Sequence, residues 1–306
     1  MNLNSMLDEL TKLSRISLFT LIPLTAAFIL TSYLSNSLTI LSLALDSGVS
    51  IVVQAFAFNT IRAMKSADSI RFPHGTGKLE NFSGFLYGAL NIPVALYIIF
   101  HSIADLPAPA PTAFTIAQLP MIPSLIRSVY LYWFATRLSR QFESPLIESY
   151  VVDFRVAVGF DSIVILAMAA GMISNMAGID GFAHYIDPVF SLCIGLYMLR
   201  AAVLLLMNNF KILIDLPMPE NEQLEIIRVL ASEFDSYEQI GTIRTRRSGS
   251  QRFVEIELYF LSTADVTAIA SLSSRIREKL REKFSDLKLG ILVLEYETAE
   301  ESSQAA

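Results

Sequence analysis

The feature that most constrains this chain is where its charges are missing. From Phe19 to Leu213 they are sparse, whereas from Glu220 onward they arrive every few residues. A membrane span needs about 20 mostly apolar residues to cross some 30 Å of hydrocarbon. Six stretches qualify, at 16–35, 38–61, 81–103, 113–136, 148–174 and 186–208. Overall 53% of residues are hydrophobic and 17% charged, below the quarter or so usual for a soluble domain. The chain is therefore read as an α-helical integral membrane protein followed by a small soluble domain. Its expected parts are a cytosolic segment at 1–15, a six-helix membrane domain at 16–210, an α+β domain at 211–298 and a disordered tail at 299–306. The segment preceding span 1 is mildly amphipathic, has no small-residue cleavage site, and is expected to be retained.

Cation placement orients the spans, because cytosolic loops carry the Lys and Arg excess. Lys12 and Arg15 precede span 1, Arg62, Lys65, Arg71 and Lys78 fill the loop after span 2, and Arg137 and Arg140 follow span 4. The other three loops have no Lys or Arg, so both termini are expected in the cytosol. A net charge of −6 gives no reason to expect nucleic acid, and the lone Cys193 excludes a disulfide framework.

In the soluble part, 220–234 suggests a helix and 240–247 a strand. Phe253, Glu255, Glu257 and Tyr259 alternate with Val254, Ile256, Leu258 and Phe260, the period of a half-buried strand. Ser248-Gly249-Ser250 suits a hairpin. Ile269, Leu272, Ile276, Leu280 and Phe284 mark one helix face, and LGILVLEYE supplies a last strand. The order α-β-β-α-β makes a ferredoxin-like two-layer sandwich, too small for an enzyme with its own deep cleft.

Ionisable residues within spans carry the chemistry. Asp46 lies in span 2 and Asp161 near the middle of span 5, with Asp153 two turns nearer the cytosol. Each carboxylate costs about 2.5–3.5 kcal/mol at a helix centre, so such residues persist where they act. Asp46 and Ser50 are four apart, as are Asp153, Ala157 and Asp161, so each set shares a helix face. If those faces meet, their oxygens form a cation site. The bland alternative is a buried salt bridge from Asp46 or Asp161 to Arg127 in span 4, with Arg155 matching Asp153 near the interface. Lys78 and Asp215, both at the cytosolic boundary, make a second possible ion pair, or two separately solvated charges.

These residues resemble the cation diffusion facilitator family, whose members export divalent metals in exchange for protons. The resemblance rests on RFPHGTGKLEN (71–81) before span 3, DPVFSLCIGLYML (187–199) opening span 6, ILIDLPMPE (212–220) leaving it, and IRTRRSG (243–249). It implies a homodimer in a bacterial-type cytoplasmic membrane, with lipid, a divalent cation and a second copy as partners and no permanently bound cofactor. The family site pairs acid-x-x-x-Asp on span 2 with His- or Asp-x-x-x-Asp on span 5. Asp46 matches the first acid, but Ser50 stands where Asp is expected. Asp161 fits the last Asp, which puts Ala157 at the His or Asp position; in another register Asp153 fills it. The implied metal ligands are thus Asp46, Ser50, Asp161 and Asp153.

Oxygen-only donors suit harder ions such as Mn²⁺ or Mg²⁺, with Fe²⁺ between these and Zn²⁺, which favours imidazole and thiolate, so Mn²⁺ or Fe²⁺ is expected as cargo over Zn²⁺. The three histidines support this: His74 lies in a cytosolic loop, His101 at the outer end of span 3 and His184 in the last outer loop. The last helix and strand carry no histidine, so dimerisation rather than regulatory metal binding is the role implied for the soluble domain. A rival reading is a non-transporting relative acting as scaffold or sensor. An intramembrane enzyme has no support, since no His-His metal motif or nucleophile elbow occurs in the spans.

Overall fold

The computed structural model describes residues 3–65, 77–142, 145–178, 180–249, 251–284 and 286–296. His74, most of the loop before the third span and the expected tail at 299–306 lie outside the described residues. The chain divides into two compact units, Met1–Phe210 and Lys211–Ala306.

The first unit holds helices α1 (Leu3–Ser35), α2 (Leu38–Lys65), α3 (Gly77–Asp105), the short α4 (Phe114–Ala117), α5 (Met121–Ser139) and α6 (Pro145–Met176), and most of α7 (Asp180–Leu213). Among the described residues five of these, α1, α2, α3, α6 and α7, are long and apolar enough to cross a membrane. The fourth expected span does not run unbroken over 113–136. It is split into α4, a turn at Gln118–Pro120 and α5. Pro120 and Pro123 fall at the break and in the first turn of α5, where the N–H that proline lacks would have had no helical partner. Pro120 accordingly sits at the N-cap of α5. From there α5 runs 19 residues, about 28 Å at the usual helical rise, so it can still traverse most of the hydrocarbon. Its inward face, Met121, Ser124, Ser128, Leu131, Ala135 and Leu138, follows the three-and-four spacing of one helix stripe.

The bundle is inside-out relative to a soluble protein. Phe19, Ile29, Leu30, Phe100, Ile126, Leu166 and Ile173 are exposed, whereas Ser17, Thr25, Ser42, Ser102, Ser124, Ser128 and Ser191 are buried. In lipid an exposed apolar side chain costs nothing, and small or hydroxylated residues let helices approach and hydrogen-bond. Ser102 and Ser191 do so across α3 and α7 at 2.7 Å, and Asn81 donates to Asn209 at 3.1 Å. Gly88 sits against the backbone of Ala202, where a Cβ would come within 2.7 Å of the carbonyl oxygen. Phe114, carried inward by α4, covers Gly171 of α6 so closely that no Cβ fits there.

The second unit is α8 (Glu220–Ala231), a 3-10 turn, β1 (Gln239–Ser248), β2 (Gln251–Phe260), α9 (Val266–Lys283) and β3 (Leu287–Glu295). β1 and β2 form an antiparallel hairpin closing with Ser248 opposite Gln251, and Gly249 takes φ +60° at the turn. β3 joins β2 in parallel, so α9 is the crossover helix that such a pairing requires. Val254, Ile256, Leu258 and Phe260 of β2 pack with Leu272, Ile276, Leu280 and Phe284 in one core, which fulfils both sequence patterns. Asp265 caps α9 by accepting from the Thr267 N–H, while Arg281 and Lys283 lie in its last turn, favourable to the helix dipole.

Candidate functional site

Asp46, half-buried, lies on α2 and Asp161, buried, on α6, two helices whose Ala44, Ile51, Phe160 and Val164 pack in one apolar cluster. Each carboxylate, however, is dressed by a different neighbouring helix. Tyr87 of α3 donates its hydroxyl to Asp46 at 2.7 Å. Ser50, one turn along α2, and Asn91, one turn along α3, lie beside Tyr87, and Asn91 also faces Asp46. The i to i+4 spacing of Tyr87 and Asn91 repeats that of Asp46 and Ser50, so two helix faces present four oxygen-bearing side chains to one another.

Asp161 is buried against α5. Ser124 Oγ lies 3.1 and 3.2 Å from its two oxygens and Ser128 Oγ donates at 2.7 Å. These serines are again four apart, so α5 offers a pair of hydroxyls where a carboxylate without protein donors would be very costly. Arg127 stands between them in sequence, and its guanidinium reaches α1 instead. It donates through Nε to Thr20 Oγ1 at 3.0 Å and through Nη2 to the Ser17 carbonyl at 3.0 Å and Ser17 Oγ at 3.1 Å. No ion pair joins Arg127 to Asp161 among the described residues, so the salt-bridge alternative lacks its contact; at range, Arg127 still provides a counter-charge.

The expected four-ligand convergence does not form in this arrangement. Asp153 is exposed on α6, and no group of three or more His, Cys, Asp or Glu residues is placed to share a metal among the described residues. Arg155 lies over the Tyr132 ring, 5.8 Å from its centroid, rather than matching Asp153. The physical reason is helix rotation: the face carrying Asp161 and its two serines is fixed by α5, and Asp153, two turns away, rotates off it. Lys78 begins the α3 side of the first unit, while Asp215, with φ +55°, pairs with Arg246 at 3.6 Å within the second. His101 packs against Tyr97, with centroids 4.3 Å apart and the ring planes tilted by 48°.

Sequence reasoning missed three kinds of residue. Tyr87 and Asn91 are neutral, so a search for charges passes over them, although an amide in mid-span was itself a signal. Ser124 and Ser128 were legible as a pair spaced by four. In the sequence Asp187 stands out only as part of a motif, whereas in the structure it is 2% exposed and clamps the start of α2. Its oxygens accept from Ser37 Oγ at 2.6 Å, the Leu38 N–H at 2.7 Å and the Thr39 N–H at 3.3 Å. The orphan amides of a helix N-terminus are thereby satisfied from another helix.

Comparison with known proteins places this architecture. Residues 14–214 match the cation efflux transmembrane domain, and residues 219–291 match the cation efflux protein cytoplasmic domain. The chain belongs to the cation efflux, or cation diffusion facilitator, family, whose members are membrane transporters and not enzymes. It is 24% identical over 253 residues to the cation-efflux pump FieF of Escherichia coli O127:H6, covering 82% of this chain and 81% of that one. The cation-efflux pump FieF of Shigella flexneri serotype 5b is 23% identical over the same length. Two solved structures of CzrB, one in its Zn form, match 26% and 28% of this chain at 21% and 23% identity. Each superposes with a TM-score of 0.23.

Proposed function

We propose that this protein exports a divalent metal cation from the cytosol in exchange for protons. It does so as a homodimer in a bacterial cytoplasmic membrane, with both termini cytosolic. The observation that carries the reading is a pair of carboxylates, Asp46 and Asp161, held inside a membrane bundle by hydroxyl donors rather than by cations. Such groups can bind a dication only by giving up protons, which couples the two fluxes. FieF, a cation-efflux pump, supports the direction of transport, and the sign of the loop charges supports the orientation. The match to the family's cytoplasmic domain supports self-association through the second unit.

Mn²⁺ or Fe²⁺ is favoured over Zn²⁺, because the side chains around both carboxylates offer oxygen and no imidazole or thiolate. The test is metal-driven proton movement in proteoliposomes loaded with a pH-sensitive dye. Asp46→Ala and Asp161→Ala are each expected to abolish it. Unchanged proton movement in both variants would remove them from the pathway.

A further inference from the structure

We propose that Phe114 is the outer barrier of the transport pathway: seated against Gly171 it keeps outside water from Asp46 and Asp161, and it leaves that seat for the cation to exit. This rests on the transport reading above and its orientation, and adds the part that stops protons from crossing without metal. Leu119 and Ile122, close by in the chain, are exposed, as lipid-facing residues are, whereas Phe114 is 2% exposed. The broken span turns it inward. The four residues of α4 pack on α1 and α6, and the Ala113 N–H donates to the Ser35 carbonyl at 2.9 Å, so the chain enters the bundle here instead of extending α5 outward. Gly171 of α6 is the seat: a Cβ there would stand within 2.7 Å of three atoms of the Phe114 ring, so only a residue without a side chain leaves the ring its place.

The two sides of the carboxylates differ in chemistry. In the proposed orientation α2 starts at the outer end and α6 runs toward it, so Ile40 and Ala44 lie outward of Asp46, and Val164 and Met168 outward of Asp161. Gly171 is further out still, about 15 Å along α6 from Asp161 at the usual helical rise. Phe114 joins Phe28, Ile40, Ala44, Val164 and Met168 in one buried apolar cluster. The Ser42 hydroxyl at this level is taken up by its own helix, donating to the Thr39 carbonyl at 2.7 Å. Inward of the carboxylates the lining is polar. Ser50 and Gln54 continue the Asp46 face of α2 at four-residue steps, Ser17 Oγ donates to Gln54 at 3.0 Å, and Arg127 donates to Ser17 Oγ at 3.1 Å. Water follows polar linings and withdraws from apolar constrictions. An exchanger needs such a dry stretch, because a water path open to both faces at once would carry protons down their gradient without metal.

The experiment is proton leak without metal, measured on the full-length protein in proteoliposomes loaded with a pH-sensitive dye and held under a pH gradient. Wild type is expected to hold the gradient and to move protons only when Mn²⁺, Fe²⁺ or Zn²⁺ is added. Phe114→Ala is expected to leak about tenfold faster than wild type, and Phe114→Leu, which still fills the seat, within about twofold of it. Adding Asp46→Ala and Asp161→Ala to Phe114→Ala is expected to stop the leak, since the leak runs through the carboxylates. The inference is overturned if folded Phe114→Ala holds the gradient, or if its leak survives the loss of both carboxylates, as it would in a damaged protein. Where Phe114→Ala does not fold, Gly171→Ala, which pushes the ring off its seat, is expected to leak in the same way, and an intact gradient there overturns the inference. Wild type that moves protons with metal beside a sealed Phe114→Ala refutes the barrier alone; wild type that moves none with any of the three metals refutes the transport reading and the barrier with it.

Discussion

At the scale of single residues, hydroxyls and amides do the work that charges do in soluble proteins. Ser128→Ala removes the 2.7 Å donor to Asp161 and leaves a buried acceptor short of one partner. The cost expected is about 1–3 kcal/mol, seen as a lower unfolding temperature in detergent. A stability equal to wild type would show that Ser124 or water takes over. Asp187→Ala strips three donors of their acceptor at the start of α2, and its loss should match or exceed that of Ser128→Ala in the same measurement. Asp46 and Asp161 stood out in the sequence because a carboxylate in a span is conspicuous. Their partners did not: which neighbouring helix faces a carboxylate depends on rotations that no one-dimensional spacing records, and Tyr87 and Asn91 carry no charge to draw the eye.

At the scale of elements, close approach decides what a position tolerates. Gly88→Ala would set a Cβ 2.7 Å from the Ala202 carbonyl and 2.8 Å from the Leu206 backbone nitrogen, atoms that cannot swing aside. Loss of monodisperse protein on size-exclusion chromatography is expected, with α3 and α7 forced apart. Gly48 in α2 is the counter-case, since nothing lies within 4 Å of a Cβ built there. Gly48→Ala should be neutral or stabilising by up to about 1 kcal/mol, the usual helix-propensity gain. If the two variants behaved alike, the α3–α7 contact would not be the tight one described. The strand and helix of the second unit were legible because period two and period three-and-four survive intact in β2 and α9. The break in the fourth span was not, because Pro120 and Pro123 sit in an otherwise apolar run long enough to read as continuous.

At the scale of the whole molecule, the second unit is fastened by carboxylates. Burial alone would push the Glu222 carboxyl up, but hydrogen bonds from Arg252 at 3.2 Å and from Arg247 outweigh it and hold it below the ordinary carboxylate range. Lys279 at 2.6 Å and Arg275 at 3.0 Å lower Glu233 in the same direction, tying α9 to the end of α8. A carboxylate with a depressed folded pKa stabilises the fold above its unfolded value and loses that contribution as pH falls through the folded one. Hydrogen-exchange protection of α9 and β2 in the full-length protein should therefore hold from neutrality down to about pH 4.5 and decline below it. Protection that is flat through that range would assign the fastening to the apolar core alone. The organisation into an apolar bundle and a charged α+β unit was visible from charge density, since lipid and water impose opposite surface chemistries. Which helix faces each buried carboxylate was not, because it depends on how the helices turn toward one another.

The proposed export requires cation and proton movement to be coupled through Asp46 and Asp161. The most direct measurement is ion flux into proteoliposomes under a pH gradient, with Mn²⁺, Fe²⁺ and Zn²⁺ side by side and the Asp46→Ala, Asp161→Ala double variant as control. Flux of Mn²⁺ or Fe²⁺ exceeding that of Zn²⁺, and lost in the double variant, is the result predicted. No flux of any of the three from folded, dimeric protein would contradict the claim and favour a membrane scaffold or sensor.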